Sequence, residues 1–376
     1  MIIPRKLKSR ILSRLGKAVI VLGPRQTGKT TLLTQIAEEL GEYLFLNADD
    51  PLIRQQLEGA NTETLKRIVG TYEVVFVDEA QRIKNIGLTL KLITDQFPSV
   101  QLLVSGSSSL ELASEINEPL TGRKWEYRLF PISWAELSHQ QGYLKSLQSL
   151  ETRLLYGMYP EVITNTGNEQ AVLQQLSDSY LYKDLLSYEG IRKPELIQRL
   201  LRALAFQVGN EVSYSELART IGANKRTVSA YIDLLEKAFV IFRLPPFSRN
   251  LRSEINSGRK IYFLDNGIRN ALIANFRPVA MREDIGALWE NFLVSERKKY
   301  LHYQEIPANM FFWRTKNQQE IDYLEERDGH LYAYEFKWNP KKRVRWPSSF
   351  RQAYANAKLQ PPVNQENFTD FLLEKE

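Results

Sequence analysis

Over the first 130 residues, short apolar runs alternate with amphipathic stretches. Residues 18–22, 43–47, 74–77 and 102–105 are apolar runs of strand length, and 30–40 and 88–97 carry a helical period between them. A strand that is apolar at successive positions is buried on both faces, so this alternation predicts a parallel sheet with helices on either side. From about 131 to 190 the strand signal gives way to helices, the clearest over 169–188, forming a helical lid or connector. Residues 194–277 read as three helices and two strands, and 282–376 return to a mixed pattern. The expected division is 1–130, 131–190, 191–277 and 278–376, with no internal repeat and no low-complexity segment.

The chemistry begins where the first strand ends. Gly23-Pro24-Arg25-Gln26-Thr27-Gly28-Lys29-Thr30 is a complete G-x-x-x-x-G-K-[ST] loop between a strand and a helix, with Thr31 following it. The glycines let consecutive backbone N–H groups turn toward phosphates, and the helix N-terminus adds partial positive charge. Lys29 would pair the β and γ oxygens of ATP, and the Thr30 hydroxyl would ligate Mg2+. The third strand ends in Asp78 and Glu79, where Asp78 would hold Mg2+ through water and Glu79 would orient or deprotonate the attacking water. The fourth ends in a hydroxyl-rich turn, Ser105-Gly-Ser107-Ser108-Ser109, with Ser105 placed to sense the γ-phosphate. Arg123 is a candidate transition-state arginine, in cis or across a subunit interface. The fold class is therefore α/β, a P-loop NTPase sheet followed by smaller domains.

Composition narrows the alternatives. The 376 residues are 43% hydrophobic and 25% charged, in the range of a globular protein. No apolar run approaches the ~18 residues of a spanning helix, and the start lacks the apolar core of a secretory signal. A cytoplasmic chain with no membrane partner is expected. It has no cysteine, and His139, His302 and His330 are widely spaced, so any metal is a hard cation held by oxygen. The net charge of +6 weakly favours an anionic partner, and residues 5–17 carry six basic side chains and no acid. A second basic stretch, Lys337 to Arg351, includes Lys341, Lys342, Arg343 and Arg345 flanked by Trp338 and Trp346, a composition suited to a phosphate backbone with stacked bases.

The phosphate loop, the Asp78-Glu79-Ala-Gln81 segment, the Ser-Gly-Ser-Ser-Ser turn, Gly122-Arg123 and Phe130-Pro-Ile-Ser-Trp-Ala-Glu136 together resemble the AAA-type ATPases of bacteria and archaea. The closer resemblance is to relatives of the archaeal ATPases that carry a C-terminal domain of unknown function. Gly157-Met-Tyr-Pro160 and Tyr182-Lys-Asp184 extend it along nearly the whole chain, although Tyr156 stands where that group often has a second glycine. The resemblance implies the ATPase parts more than a biological task.

Two further patterns bear on output. Residues 212–238 read as two capped helices, with Ser213 and Asn224 at the caps, Gly222 in the turn and Leu217, Ala218, Ile221, Val228, Ile232 and Leu235 on the apolar faces. This is a helix-turn-helix pattern that resembles winged-helix domains, with Lys225, Arg226, Thr227 and Ser229 on the early turns of the second helix and Arg219 nearby. Near the C-terminus, Asp322, then Glu335 and Lys337 spaced by two, lie on successive expected strands. This D…E-x-K order resembles the PD-(D/E)xK nuclease fold, in which Asp322 and Glu335 would hold Mg2+, Lys337 would position water, and Glu290 on a preceding helix would complete the site. The bare E-x-K spacing is weak by itself, since Glu296-Arg-Lys298 matches it on an expected helix.

Three functions stay open at this point. The first is an ATP-hydrolysing switch acting on DNA or a protein partner; the second is an ATP-gated, metal-dependent DNA endonuclease; the third is an ATP-dependent DNA-binding regulator without nucleic-acid chemistry. Further copies of the chain are candidate partners in each.

Overall fold

Five strands, β1 (Ala18–Leu22), β2 (Tyr43–Asn47), β3 (Val74–Asp78), β4 (Gln101–Gly106) and β5 (Lys124–Arg128), form one sheet in the order β2-β3-β4-β1-β5. Every neighbouring pair is parallel. The computed structural model describes residues 2–107, 116, 118–178, 193–248 and 258–373. The chain divides into two units, Met1–Ile132 with Lys237–Phe239 and Ser133–Glu236 with Val240–Glu376.

In the first unit β1 and β3 are buried at every position, which their unbroken apolar sequences require. Each fully buried aliphatic side chain contributes about 1.5–3 kcal/mol. Around the sheet run α1 (Leu7–Leu12), α2 (Lys29–Leu40), α3 (Pro51–Leu57), α4 (Thr62–Val69) and α5 (Ile86–Gln96). Helix α2 packs on β3 and β4 through Leu32, Leu33, Ile36 and Ala37. The α/β parallel sheet is as expected, and the fifth strand is an addition. Its sequence, Lys-Trp-Glu-Tyr-Arg, is polar at three positions and buries only Tyr127, so an edge strand pairing with β1 carries no apolar run to announce it.

The second unit opens with α6 (Trp134–Gln141), whose capping box links Ser133 and Glu136 reciprocally. Then come α7 (Tyr143–Gln148), α8 (Leu150–Tyr156), α9 (Pro160–Thr164), α10 (Glu169–Leu176) and α11 (Pro194–Phe206). Of the helix expected over 169–188, the part beyond residue 178 lies outside the described residues, as does Tyr182-Lys-Asp184. Next follow β6 (Glu211–Val212), α12 (Tyr214–Ile221), α13 (Lys225–Lys237), β7 (Ile241–Leu244), β8 (Arg259–Phe263) and α14 (Asn266–Leu272). The three strands pair antiparallel in the order β6-β8-β7. Both expected caps form, since Ser213 Oγ accepts the Glu216 N–H at 3.3 Å and Asn224 Oδ1 accepts the Thr227 N–H at 2.8 Å. Gly222 closes α12 with φ of 73°.

The chain ends with α15 (Ile285–Tyr303), β9 (Asn309–Arg314), β10 (Glu320–Arg327), β11 (His330–Tyr334), α16 (Ser348–Ala353), β12 (Lys358–Leu359) and α17 (Phe368–Leu372). Its sheet has the order β12-β11-β10-β9, antiparallel except for the β11–β12 pair. Glu296 and Lys298 do fall within a helix, α15.

The expected lid, middle and C-terminal segments fall in one unit because buried polar groups join them. Asn291 of α15 accepts the Phe263 N–H at 2.7 Å and donates to Phe263 O at 3.1 Å. Asn270 of α14 donates to Leu155 O at 2.8 Å, and Asp265 accepts the Met158 N–H at 2.6 Å. This gives Gly157-Met-Tyr-Pro160 a role, for a Cβ on Gly157 would stand 2.0 Å from Asp265 Oδ1. Only glycine lets the Asp265 carboxylate approach that turn.

Candidate functional site

The phosphate loop occupies residues 23–28 between β1 and α2, and two contacts set its curvature. A Cβ on Gly23 would meet Leu129 O at 2.1 Å, so this position excludes a side chain. Gly28 caps α2 with φ of 90°, and Gln26 also has positive φ. Thr27, fully buried, donates from Oγ1 to Pro24 O at 2.8 Å. Arg5 donates to Thr27 O and Phe130 O, both at 2.6 Å, tying the loop to the segment after β5. Lys29 is 4% exposed and donates from Nζ to Gly23 O at 3.0 Å and Pro24 O at 2.8 Å. Pro24 is buried with it, whereas Gln26, Thr30 and Thr31 are exposed and Arg25 is half-buried.

The strand ends supply the acidic side. Thr30 Oγ1 is 3.1 Å from both Asp78 oxygens, to which it donates. Ser105 also donates to Asp78 Oδ1, while Ser105 Oγ accepts the Glu79 N–H at 3.0 Å. Burial raises the Asp78 pKa, and the Ser105 and Thr30 hydroxyls counter it. Thr30 and Asp78 fit a magnesium ion by donor chemistry, since both offer oxygen and a hard cation takes its remaining ligands from water and phosphate.

Glu79 sits in the left-handed region at φ of 52°, and its side chain accepts from Gln81 Nε2. Gln81 Nε2 also donates to Ser107 Oγ at 2.8 Å, and its Oε1 accepts the Ser107 N–H. Gln81 thus ties the Glu79 side chain to Ser107, a contact that the sequence alone did not indicate. Ser105 is brought to the site, but its fully buried hydroxyl is committed to Asp78 and to the backbone of Glu79. Ser108 and Ser109 lie outside the described residues.

Arg123 is not brought to its own phosphate loop. It immediately precedes β5, whose first residue Lys124 pairs with Ala18, the first residue of β1, while the loop follows the last residue of β1. A five-residue strand separates them, roughly 16 Å at 3.3 Å per residue. Its guanidinium pairs with Asp95 at 2.5 Å. The cis alternative for Arg123 is therefore corrected, and only the role across an interface remains available to it.

The D…E-x-K residues assemble in the second unit. Lys337 Nζ donates to Asp322 Oδ2 at 3.1 Å and Glu335 Oε2 at 2.8 Å, as the i, i+2 spacing anticipates. Beyond β11, Glu335 and Lys337 keep strand geometry because Val363 donates to Glu335 O and accepts from the Lys337 N–H. Glu290 Oε1 accepts from Tyr262 Oη at 2.5 Å and from Lys260 Nζ at 2.9 Å. Lys260 also pairs with Glu320 at 2.5 Å. Burial pushes the Glu290 carboxyl up to about 6, against the pull of Lys260.

The Asp322 and Glu335 on which Mg2+ was expected share the Lys337 ammonium. Their oxygens already face ammonium groups, and among the described residues no three acidic or histidine side chains converge on a metal-holding arrangement. Lys260, Tyr262 and Glu320 were missed because the first two lie in what reads as an apolar strand, far along the chain from the acids they meet.

The cluster carries its own pH signature. Glu335 is pushed up to about 7, first by burial and then by Asp322, with Lys337 opposing. A folded-state pKa above the unfolded 4.5 contributes stability that is fully present below pH 4.5 and is lost as pH rises through about 7. Glu335→Gln removes that slope. In thermal melts, the Tm of the variant relative to the parent chain rises as pH goes from 4.5 to 8; a difference constant with pH would contradict the assignment.

Comparison with known proteins matches three stretches of the chain. Residues 15–138 match a family described as an AAA domain. The chain is 28% identical to an uncharacterized protein of Mycobacterium tuberculosis over 89% of this chain and 73% of the relative. A Walker-type ATPase of Pyrococcus abyssi superposes with a TM-score of 0.50 at 16% identity, over 72% of this chain and 96% of that one. The first unit contains an ATPase-like P-loop domain. Residues 147–278 and 285–368 match two domains of unknown function, DUF8612 and DUF4143, respectively. An uncharacterized protein of Methanocaldococcus jannaschii is 24% identical over 87% of this chain and 77% of the relative.

Beyond the P-loop domain, the second unit offers a polar surface. Lys225 and Arg226 are exposed at the start of α13, with Arg219 exposed on α12. An open cleft of about 630 Å³ is lined by Lys225 and Ser229 of α13, Arg243 and Arg259 of the β7–β8 pair, and Arg314 of β9. Arg243 pairs with Asp233 and Glu236, and Arg314 with Glu211 and Glu320. Among the described residues, no helix is long and apolar enough to cross a membrane.

Proposed function

We propose that this chain is an ATP-binding, Mg2+-dependent ATP-hydrolysing switch whose second unit acts on DNA or a protein partner in the cytoplasm. The observation that carries the reading is the convergence of Thr30, Asp78 and Ser105 beside a glycine-built phosphate loop, with the Glu79 backbone bonded to Ser105. Lys29 leaves the Gly23 and Pro24 carbonyls to pair the β and γ oxygens, and the first-turn N–H groups of α2 face the same phosphates. Thr30 and Asp78 would hold Mg2+, and that ion would supply positive charge against the phosphoryl group. Glu79, held by Gln81, orients the attacking water and accepts its proton. Arg123 acts, if at all, on the nucleotide of a neighbouring copy.

DNA is the favoured partner: the capped α12–α13 pair and the antiparallel β7–β8 pair support a winged-helix reading, and Lys225, Ser229 and Arg259 line a cleft beside the second helix. The endonuclease reading is not carried forward, because the carboxylates it requires are held by lysines. MgATP raises the Tm of the parent chain and leaves Lys29→Ala unshifted; equal shifts would remove the nucleotide site. DNA affinity in band-shift titrations falls steeply as salt rises. Absence of DNA binding at low salt would assign the output to a protein partner.

A further inference from the structure

Gly28 O accepts the Leu32 N–H at 2.9 Å, the bond with which α2 begins, so Thr27 O is the last carbonyl of the phosphate loop that lies outside the helix. Arg5, half-buried at the start of the basic stretch, takes that carbonyl. Its Nη1 donates to Thr27 O and its Nη2 to Phe130 O, both at 2.6 Å, short bonds of the kind an ionised donor makes. The guanidinium lies against the loop, for a Cβ on Gly28 would stand 4.0 Å from Nη1. The segment that carries Phe130 also fixes the other end of the loop. Leu129 donates its N–H to Leu22 O at 2.8 Å, and Leu129 O is the atom that a Cβ on Gly23 would meet. Residues 129 and 130, both buried, therefore hold the start of the loop directly and its end through Arg5.

We infer that Arg5 is a positioning residue of the nucleotide site, which aims the Gly28 N–H at the phosphates by holding the Thr27 carbonyl from behind. The inference rests on the nucleotide-binding reading above. In a trans peptide, the C=O of one residue and the N–H of the next point in opposite directions. A cation that fixes Thr27 O on the outer side of the loop turns the Gly28 N–H to its inner side. Gly28 has no side chain to restrain that peptide plane, and its φ of 90° is one that glycine enters and leaves freely. A guanidinium offers two parallel donors, one for the loop and one for the buried segment after β5, whereas an ammonium is a point charge. Fixing the plane before ATP arrives takes the cost of ordering it out of binding.

The test is calorimetric titration of the full-length chain with the β,γ-imido analogue of ATP and Mg2+, with nucleotide-free melts to check folding. Arg5→Ala weakens binding at least about tenfold, the loss expected when a charge-assisted bond no longer orients the donor. Low-millimolar guanidinium chloride, far below denaturing concentrations, restores part of the affinity of Arg5→Ala and none of that of Lys29→Ala; sodium chloride at the same concentration restores neither. If Arg5→Ala does not fold, Arg5→Lys carries the same comparison. A folded Arg5 variant that binds within about twofold of the parent chain would overturn the inference, as would a loss that guanidinium leaves untouched, for either result makes Arg5 a fastener of the fold alone. Equal binding by the parent chain and Lys29→Ala would instead remove the nucleotide site itself, and this role with it.

Discussion

Asp78→Asn lowers Mg2+-dependent ATP turnover by roughly two to three orders of magnitude while leaving the first unit folded. Asparagine has the shape of aspartate and keeps an oxygen to accept from Thr30 and Ser105, so the hydroxyl contacts at the end of β3 survive. What disappears is the negative charge that makes this end of the sheet a site for a divalent ion. Asp78 is 6% exposed, and burying a carboxylate between two hydroxyls and beside Lys29 costs enough that a role in stability alone would be better served by a neutral residue. Phosphate release measured across a Mg2+ titration checks this. Turnover within about tenfold of the parent chain would remove Asp78 from the mechanism.

Glu325→Ala destabilises the second unit by about 3–5 kcal/mol, the largest stability effect expected outside the nucleotide site. Arg297 of α15 meets Glu325 of β10 through two bonds, Nε to Oε2 at 2.8 Å and Nη2 to Oε1 at 2.7 Å. The pair is 2% and 0% exposed, so water cannot replace the lost carboxylate. Arg297 also donates to Phe371 O at 2.7 Å, and Glu325 accepts from Tyr323 Oη at 3.0 Å, which ties α15, β10 and α17 together. Truncating Glu325 removes a bidentate carboxylate from a buried guanidinium and the acceptor of the Tyr323 hydroxyl. Urea unfolding followed by tryptophan fluorescence measures the loss, since Trp289 and Trp313 both lie in this unit. A loss below about 1 kcal/mol would show that the bidentate pair is energetically idle.

What the sequence made legible follows from how far apart the cooperating residues are. The first four strands of the first sheet and the phosphate loop are local patterns, and each lies where its pattern puts it. Strand β5 escaped because an edge strand needs only one buried face, and Tyr127 alone marks it. The Asp78–Ser105 contact was half legible: both residues end strands, but only the β3–β4 adjacency turns Ser105 toward the carboxylate. Arg123 could not be placed from its motif, because direction along a strand becomes meaningful only when the register with β1 is known. Lys260 was hidden most completely. A lysine within Lys-Ile-Tyr-Phe reads as a strand end, and its partners Glu290 and Glu320 lie on a helix and a strand that no local period connects to it.

The most direct test of the account is steady-state phosphate release from ATP by the purified chain and by Lys29→Ala, each with Mg2+ and with a chelator. The account predicts release by the parent chain that requires Mg2+ and falls to background in Lys29→Ala. Equal release by the two proteins, or release that ignores Mg2+, would contradict it.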